Sequence, residues 1–196
     1  MSLVLPDIES LTIVVEERLP ENIFAHSIRV AETAHALASL HCPSEARRVR
    51  VASVLHDIAK PMSDCELLSL SDKFGILSVS IERRNPRLLH APVGAEIAHR
   101  EFGVTDDAVL SAIRWHTVGL RGMPACAMIL YIADATEPER EFEGVEGIRA
   151  ASERSLAEGC ALRAASTVAY VMKMGWELDI RTLEFYNSLV DAEGTR

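Results

Sequence analysis

The residues with the greatest chemical capacity are His56 and Asp57, adjacent in the run VASVLHDIAKP from Val51 to Pro61. Seven His occur along the 196 residues, so a His-Asp neighbour pair alone says little. Its setting says more. An apolar helix is expected to carry both residues into its last turn, and Pro61 stops that helix just beyond them. At such an end two neighbouring side chains can converge, whereas a continuing helix would splay them about 100° apart.

Other polar residues fall on apolar faces. His26 lines up with Val30, Thr33 and Leu37 at helical spacing, and His116 follows Val109 and Ile113 in the same way. Asp134, in MILYIADATEP, aligns with Ala127, Leu130 and Tyr131. Taken singly, an inward His bonds a backbone carbonyl and an inward Asp caps a neighbouring helix. Several of them aimed at one apolar interior need a common cationic partner, because an unpaired buried carboxylate is costly. A mixed His and Asp set suits a first-row transition ion with open positions, such as iron or manganese, better than closed structural zinc.

Two further residues join them with less force. His90 stands just before a helix expected to open near Pro92, where free amides suit an anion. Lys60 would meet a phosphate as a point charge, and it reads equally well as a solvated helix-end cation. His35, His41 and His99 share no face with the others and are read as surface residues.

The elements that must position these residues are helices. The chain reads as Pro6–Leu19, then Asn22–Leu40, then a helix capped by Ser44 and running to Ala59. Ser63 to Glu66 is a capping box opening a fourth helix, and residues 75–89 have no clear period and read as a loop. Pro92 opens a helix ending near Gly103, and Thr105 caps another with Asp106 and Asp107 in its first turn. Pro124 to Pro138 brackets the helix of Asp134; a long Ala-rich helix is expected over 148–173 and a last one over 181–191. Alternation with a period of two is nowhere sustained, so the fold class is all-α.

Composition agrees. Hydrophobic residues make up 48% and charged residues 25%, a globular balance, and with aromatics at 5% the core must be built from Leu, Ile, Val and Ala. A net charge of −9 argues against a duplex-binding surface. Cys42, Cys65, Cys126 and Cys160 form no CxxC pair and read as free thiols of a reduced compartment. The first twenty residues lack a basic leader, and no uncharged run reaches membrane-spanning length, so a cytoplasmic protein is expected.

The order His26, His56-Asp57, Asp134 resembles the H…HD…D signature of the HD phosphohydrolase superfamily. The runs VLHDIAKP, LLHAPVGA, IRWHTVG, YIADATEPER and DIRTLE are similar to those of the bacterial YqeK family of symmetrical diadenosine-tetraphosphate hydrolases, from about Phe24 to Leu189. The resemblance implies one helical bundle of the HD type, with an N-terminal helix over 1–20 and the HD domain over 21–196. It implies a transition metal, iron with manganese or cobalt as alternatives, as one ion or two, held by His26, His56, Asp57 and Asp134. It sets His90, His116 and Thr117 beside the nucleotide or a second ion. Arg140, Arg181 and Thr182 would contact the nucleotide; Asp179-Ile180 stands where the family often has His-Pro.

The expected chemistry is phosphoanhydride hydrolysis. The ion makes a water acidic enough to ionise near neutral pH and attack phosphorus, with Asp57 and Lys60 as catalytic residues. The expected partners are a dinucleoside polyphosphate or ADP, with no nucleic acid and no membrane, and a homodimer left open. Two alternatives share the scaffold: a nucleotide or deoxynucleotide phosphatase, and a metal-loaded nucleotide sensor without turnover.

Overall fold

The computed structural model describes residues 5–76 and 78–193. Residues 1–4, 77 and 194–196, parts of the expected N-terminal unit, loop and HD domain, lie outside the described residues.

Among the described residues there are eleven α-helices and no strand. The organising element is α8 (Ala125–Thr136), in which every residue from Cys126 to Thr136 is buried except Met128. A helix that is apolar all round belongs at the centre of a bundle. Around it pack α2 (Glu21–His41), α3 (Ala46–Leu55), α7 (Asp107–Trp115) and α10 (Leu156–Lys173), with α6 (His90–Phe102) against α7. Val30, Ala34, Val49, Leu55, Ile113 and Leu130 are all within one core, and it also takes Leu11, Val15 and Leu19 from the α1 (Ile8–Arg18) end of the chain.

Local chemistry explains most ends. The capping box at α4 (Asp64–Phe74) is present, with Ser63 N donating to Glu66 Oε2 at 2.8 Å and Gly75 closing the helix in the left-handed region. Two expected caps are corrected. Ser44 lies inside a 3-10 turn, Pro43–Glu45, and caps nothing. Asp106, not Thr105, caps α7, its carboxylate accepting from Ala108 and Val109.

Three element boundaries also change. Residues 75–89 contain a short helix α5 (Ser80–Arg84) and a 3-10 turn at Pro86–Leu89, so α6 opens at His90, two residues before Pro92. The third helix stops at Leu55, and His56 and Asp57 occupy the turns after it, where Ile58 N bonds Leu55 O and Lys60 N bonds Asp57 O. The long helix over 148–173 is two helices, α9 (Val145–Arg154) and α10, broken at Ser155, which is extended and caps α10 through Glu158 N. The two then fold against each other so closely that a Cβ at Gly159 would collide with Ser152. The last helix, α11 (Ile180–Glu193), packs back on α10.

Candidate metal centre

Four histidine rings and two carboxylates meet at the ends and inner faces of these helices. His26 comes from the middle of α2, His56 and Asp57 from the turns after α3, His90 from the first residue of α6, His116 from the residue closing α7, and Asp134 from α8. Three of the four rings are fixed by their own turn. His56, His90 and His116 each present Nδ1 to the carbonyl three residues earlier, on Ser53 at 2.7 Å, Arg87 at 2.5 Å and Ile113 at 2.8 Å. In a neutral ring whose Nδ1 donates to a carbonyl, Nε2 is a lone pair, and these are the nitrogens that converge. At His56 burial opposes protonation, but Asp57 and Asp134 outweigh it and raise the ring's pKa; a cation between them would satisfy the same charges.

Asp57 sits between two groups of them. Its Oδ2 lies 3.2 Å from His56 Nε2 and 3.8 Å from His26 Nε2, while its Oδ1 lies 3.5 Å from His90 Nε2 and 3.6 Å from His116 Nε2. Asp134 Oδ1 faces His26 Nε2 at 3.1 Å and His56 Nε2 at 3.9 Å. Two ligand-like sets follow, His26–His56–Asp134 and His56–Asp57–His116, each with atoms close enough to share one ion.

The donor set fits a cation. Among the described residues, His56 Nε2 and Asp57 Oδ1 are buried without a hydrogen-bond partner, a costly state for acceptors unless a positive charge stands between them. Burial pushes the Asp57 carboxyl up, but His56 and His116 outweigh it and hold the group well below the usual carboxylate range. Burial likewise opposes ionisation of Asp134, and the His26 hydrogen bond with the Arg163 charge overcomes it. Burial lowers His90 to about 4, with the neighbouring His116 ring adding to the effect, so its ring is an acceptor at neutral pH.

Cations already approach this cluster. Lys60 Nζ bonds Asp57 Oδ2 at 2.6 Å. Arg140, after the end of α8, reaches back to Asp134 Oδ1 at 2.8 Å and to His26 Nε2 at 3.3 Å. Thr117 Oγ1 lies 3.4 Å from His90 Nε2 and lines an adjoining cavity of about 650 Å³. Ile81, Leu88, Val118, Val171 and Trp176 give that cavity apolar walls, and Arg84, Asp179 and Thr182 bring polar groups to it.

Arg181 is placed differently from the other expected contacts. Its guanidinium is engaged by Glu82 at 2.7 Å and by Asp179 at 2.9 Å, and it lies over the Trp115 ring. Its charge therefore holds the cavity wall. Sequence reasoning missed three residues that grip the centre from behind. Glu137 bonds His26, Arg163 bonds Asp134 Oδ2 at 3.2 Å, and Arg149 bonds the carbonyls of Thr136, Glu137 and Arg140. A signal existed for Arg163, a lone charge on a face shared with Gly159, Cys160 and Ala164. His41 and His99, read as surface residues, bond the carbonyls of Ser152 and Val104.

An all-helical bundle closing on His, His-Asp and Asp defines the class, and the family model described as "HD domain" matches residues 23–139. The chain is 33% identical over 178 residues to "Bis(5'-nucleosyl)-tetraphosphatase, symmetrical" of Bacillus subtilis, covering 90% of this chain and 94% of that one. It is also 33% identical over 176 residues to the protein of the same name from Halalkalibacterium halodurans, covering 90% and 93%. A crystal structure from Clostridium acetobutylicum, described as a "predicted HD superfamily hydrolase involved in NAD metabolism", superposes with a TM-score of 0.91 at 30% identity, over 96% of this chain and 100% of that one. The chain belongs to the HD-domain family and, within it, to the family of these symmetrical tetraphosphatases.

Proposed function

We infer that this chain hydrolyses dinucleoside polyphosphates, cutting diadenosine tetraphosphate symmetrically into two ADP. The observation that carries the reading is Asp57, whose two oxygens face two different sets of ring nitrogens. Such a carboxylate suits a centre of two ions, one with His26, His56 and Asp134, the other with His90 and His116. Imidazole and carboxylate together favour iron, with manganese or cobalt as substitutes, over calcium, which prefers an all-oxygen shell. A transition ion there supplies Lewis-acid chemistry, lowering the pKa of water and drawing charge from phosphoryl oxygens.

The chain's own residues do the rest. One nucleoside enters the cavity beside Thr117 and Thr182, with Trp176 at its wall. Lys60 and Arg140 meet the phosphates and offset charge on the non-bridging oxygens. Arg181 acts through the wall it holds, together with Glu82 and Asp179. Water adds to the second phosphorus from one adenosine, the central anhydride P–O bond breaks, and both halves leave as ADP. Free thiols at Cys42, Cys65, Cys126 and Cys160 support a reduced, cytoplasmic setting.

Product analysis in oxygen-labelled water tests this. One labelled ADP and one unlabelled ADP are expected, with the label on the terminal phosphate. ATP with AMP, or free phosphate from mononucleotides at a comparable rate, transfers the assignment to a general phosphatase. Tight ADP binding without turnover transfers it to a sensor.

A further inference from the structure

Glu137 closes α8 with its side chain turned inward and 2% exposed. Its Oε1 lies 3.2 Å from His26 Nδ1, and its Oε2 accepts from Arg29 Nε at 2.7 Å and from Glu139 N at 2.9 Å. His26 differs from the other three rings in a way its location explains. Those three stand at helix ends, where a nearby carbonyl is free for Nδ1. His26 stands inside α2, where the preceding carbonyls belong to the helix ladder, so its Nδ1 needs a partner from another element. That partner is a buried carboxylate rather than a neutral carbonyl.

We propose that Glu137 is the positioning residue of His26: it accepts the Nδ1 proton, fixes Nε2 as the lone-pair nitrogen aimed at Asp134 and Asp57, and makes that nitrogen a stronger metal donor. His26 Nε2 lies between an acceptor, Asp134 Oδ1 at 3.1 Å, and a donor, Arg140 Nη2 at 3.3 Å, so the contact that selects the ring's tautomer is the one Nδ1 makes with Glu137. A carboxylate behind a ligand imidazole raises its basicity and fixes its orientation. The proposal rests on the metal-centre reading of His26. Glu137 also ties α2 to α8 through Arg29, and a purely structural role would end there.

Titrating the metal-free full chain with cobalt(II), by chelator competition and by the visible spectrum, separates the two roles. Glu137→Gln should raise the cobalt dissociation constant by about 10–100-fold and shift the visible bands. Arg29→Ala breaks the same tie between helices but leaves the carboxylate on His26, so it should bind cobalt no more weakly than wild type. Equal losses in the two variants, or a wild-type constant in Glu137→Gln, would overturn the proposal. Wild type that binds no cobalt would instead overturn the metal-centre reading and the proposal with it. A readout on the unmodified chain covers a variant that fails to fold. Nitrogen NMR of the zinc-loaded full chain should show His26 with its proton on Nδ1 and Nε2 as the donor to the ion; the reverse arrangement overturns the assignment.

Discussion

The Nε2 atoms of His90 and His116 face each other at 3.1 Å, with their rings in an edge contact and Asp57 Oδ1 within 3.6 Å of both. Both rings give Nδ1 to a backbone carbonyl, so two lone pairs point at one spot beside a carboxylate. Such a spot suits a cation, a shared proton or a metal ion. The pair thus differs from a phosphate-binding site, which would present N–H donors.

If an ion occupies that spot, His90→Ala and His116→Ala should each lower the metal content by about one ion per chain. The ion at His26, His56 and Asp134 should remain. Elemental analysis of the purified variants reads this directly, and an unchanged ratio would assign the pair to a shared proton.

Asp57→Ala should abolish hydrolysis and strip metal from both sets while the helical circular dichroism survives. The backbone at Asp57 is held by Val51, Val54, Leu55 and Ile58, all buried, so the fold does not depend on the carboxylate. Chelation should mimic the variant, with iron, manganese or cobalt restoring wild type better than calcium. Full turnover in Asp57→Ala would remove the proposed centre.

Arg140→Ala should weaken ADP binding more than metal binding. Its charged hydrogen bonds are of a kind worth about 1.5–3 kcal/mol, or roughly 10–150-fold in affinity. Calorimetric titration of ADP and of metal against both proteins separates the effects; losses of equal size would make Arg140 a support for Asp134 alone.

Gly119→Ala should lower stability by about 2–4 kcal/mol, through left-handed backbone strain and overpacking. Gly119 has φ of +74°, and a Cβ there would collide with the ring of Phe185 on α11. Denaturant unfolding measures the loss. Because Gly119 follows Thr117 by two residues, the folded variant should also show a raised KM.

Much of this was legible from residue types. The inward stripes of His26, His116 and Asp134 come directly from helical spacing, and the Ser63–Glu66 box marks its helix start. The break at Ser155 was also written in the sequence, as Ser155-x-x-Glu158, but the Ala-rich run on both sides hides it because propensity favours helix throughout. His56 and Asp57 were expected in a last helical turn and lie just past it, since a side-chain bond to Ser53 O competes with the ladder there. Glu137 had no readable role, because its partner lies 111 residues away in the chain, and the inward face of Arg163 did not name its partner 29 residues away. The same holds for the engagement of Arg181 by Glu82, which needs α5, a segment without a readable period.

The wall of the cavity is held by two ion pairs of unlike character. Arg181 meets Glu82 with both side chains largely shielded from water, while Arg84 meets Glu177 with half of each side chain exposed. Salt at physiological strength screens charges beyond about 8 Å in water and reaches shielded pairs far less. The wall therefore has one seam shielded from salt and one open to it. Ionic strength acts chiefly on the Arg84–Glu177 side of the wall, while the Arg181–Glu82 tie, next to Asp179 and Thr182, keeps its hold in salt.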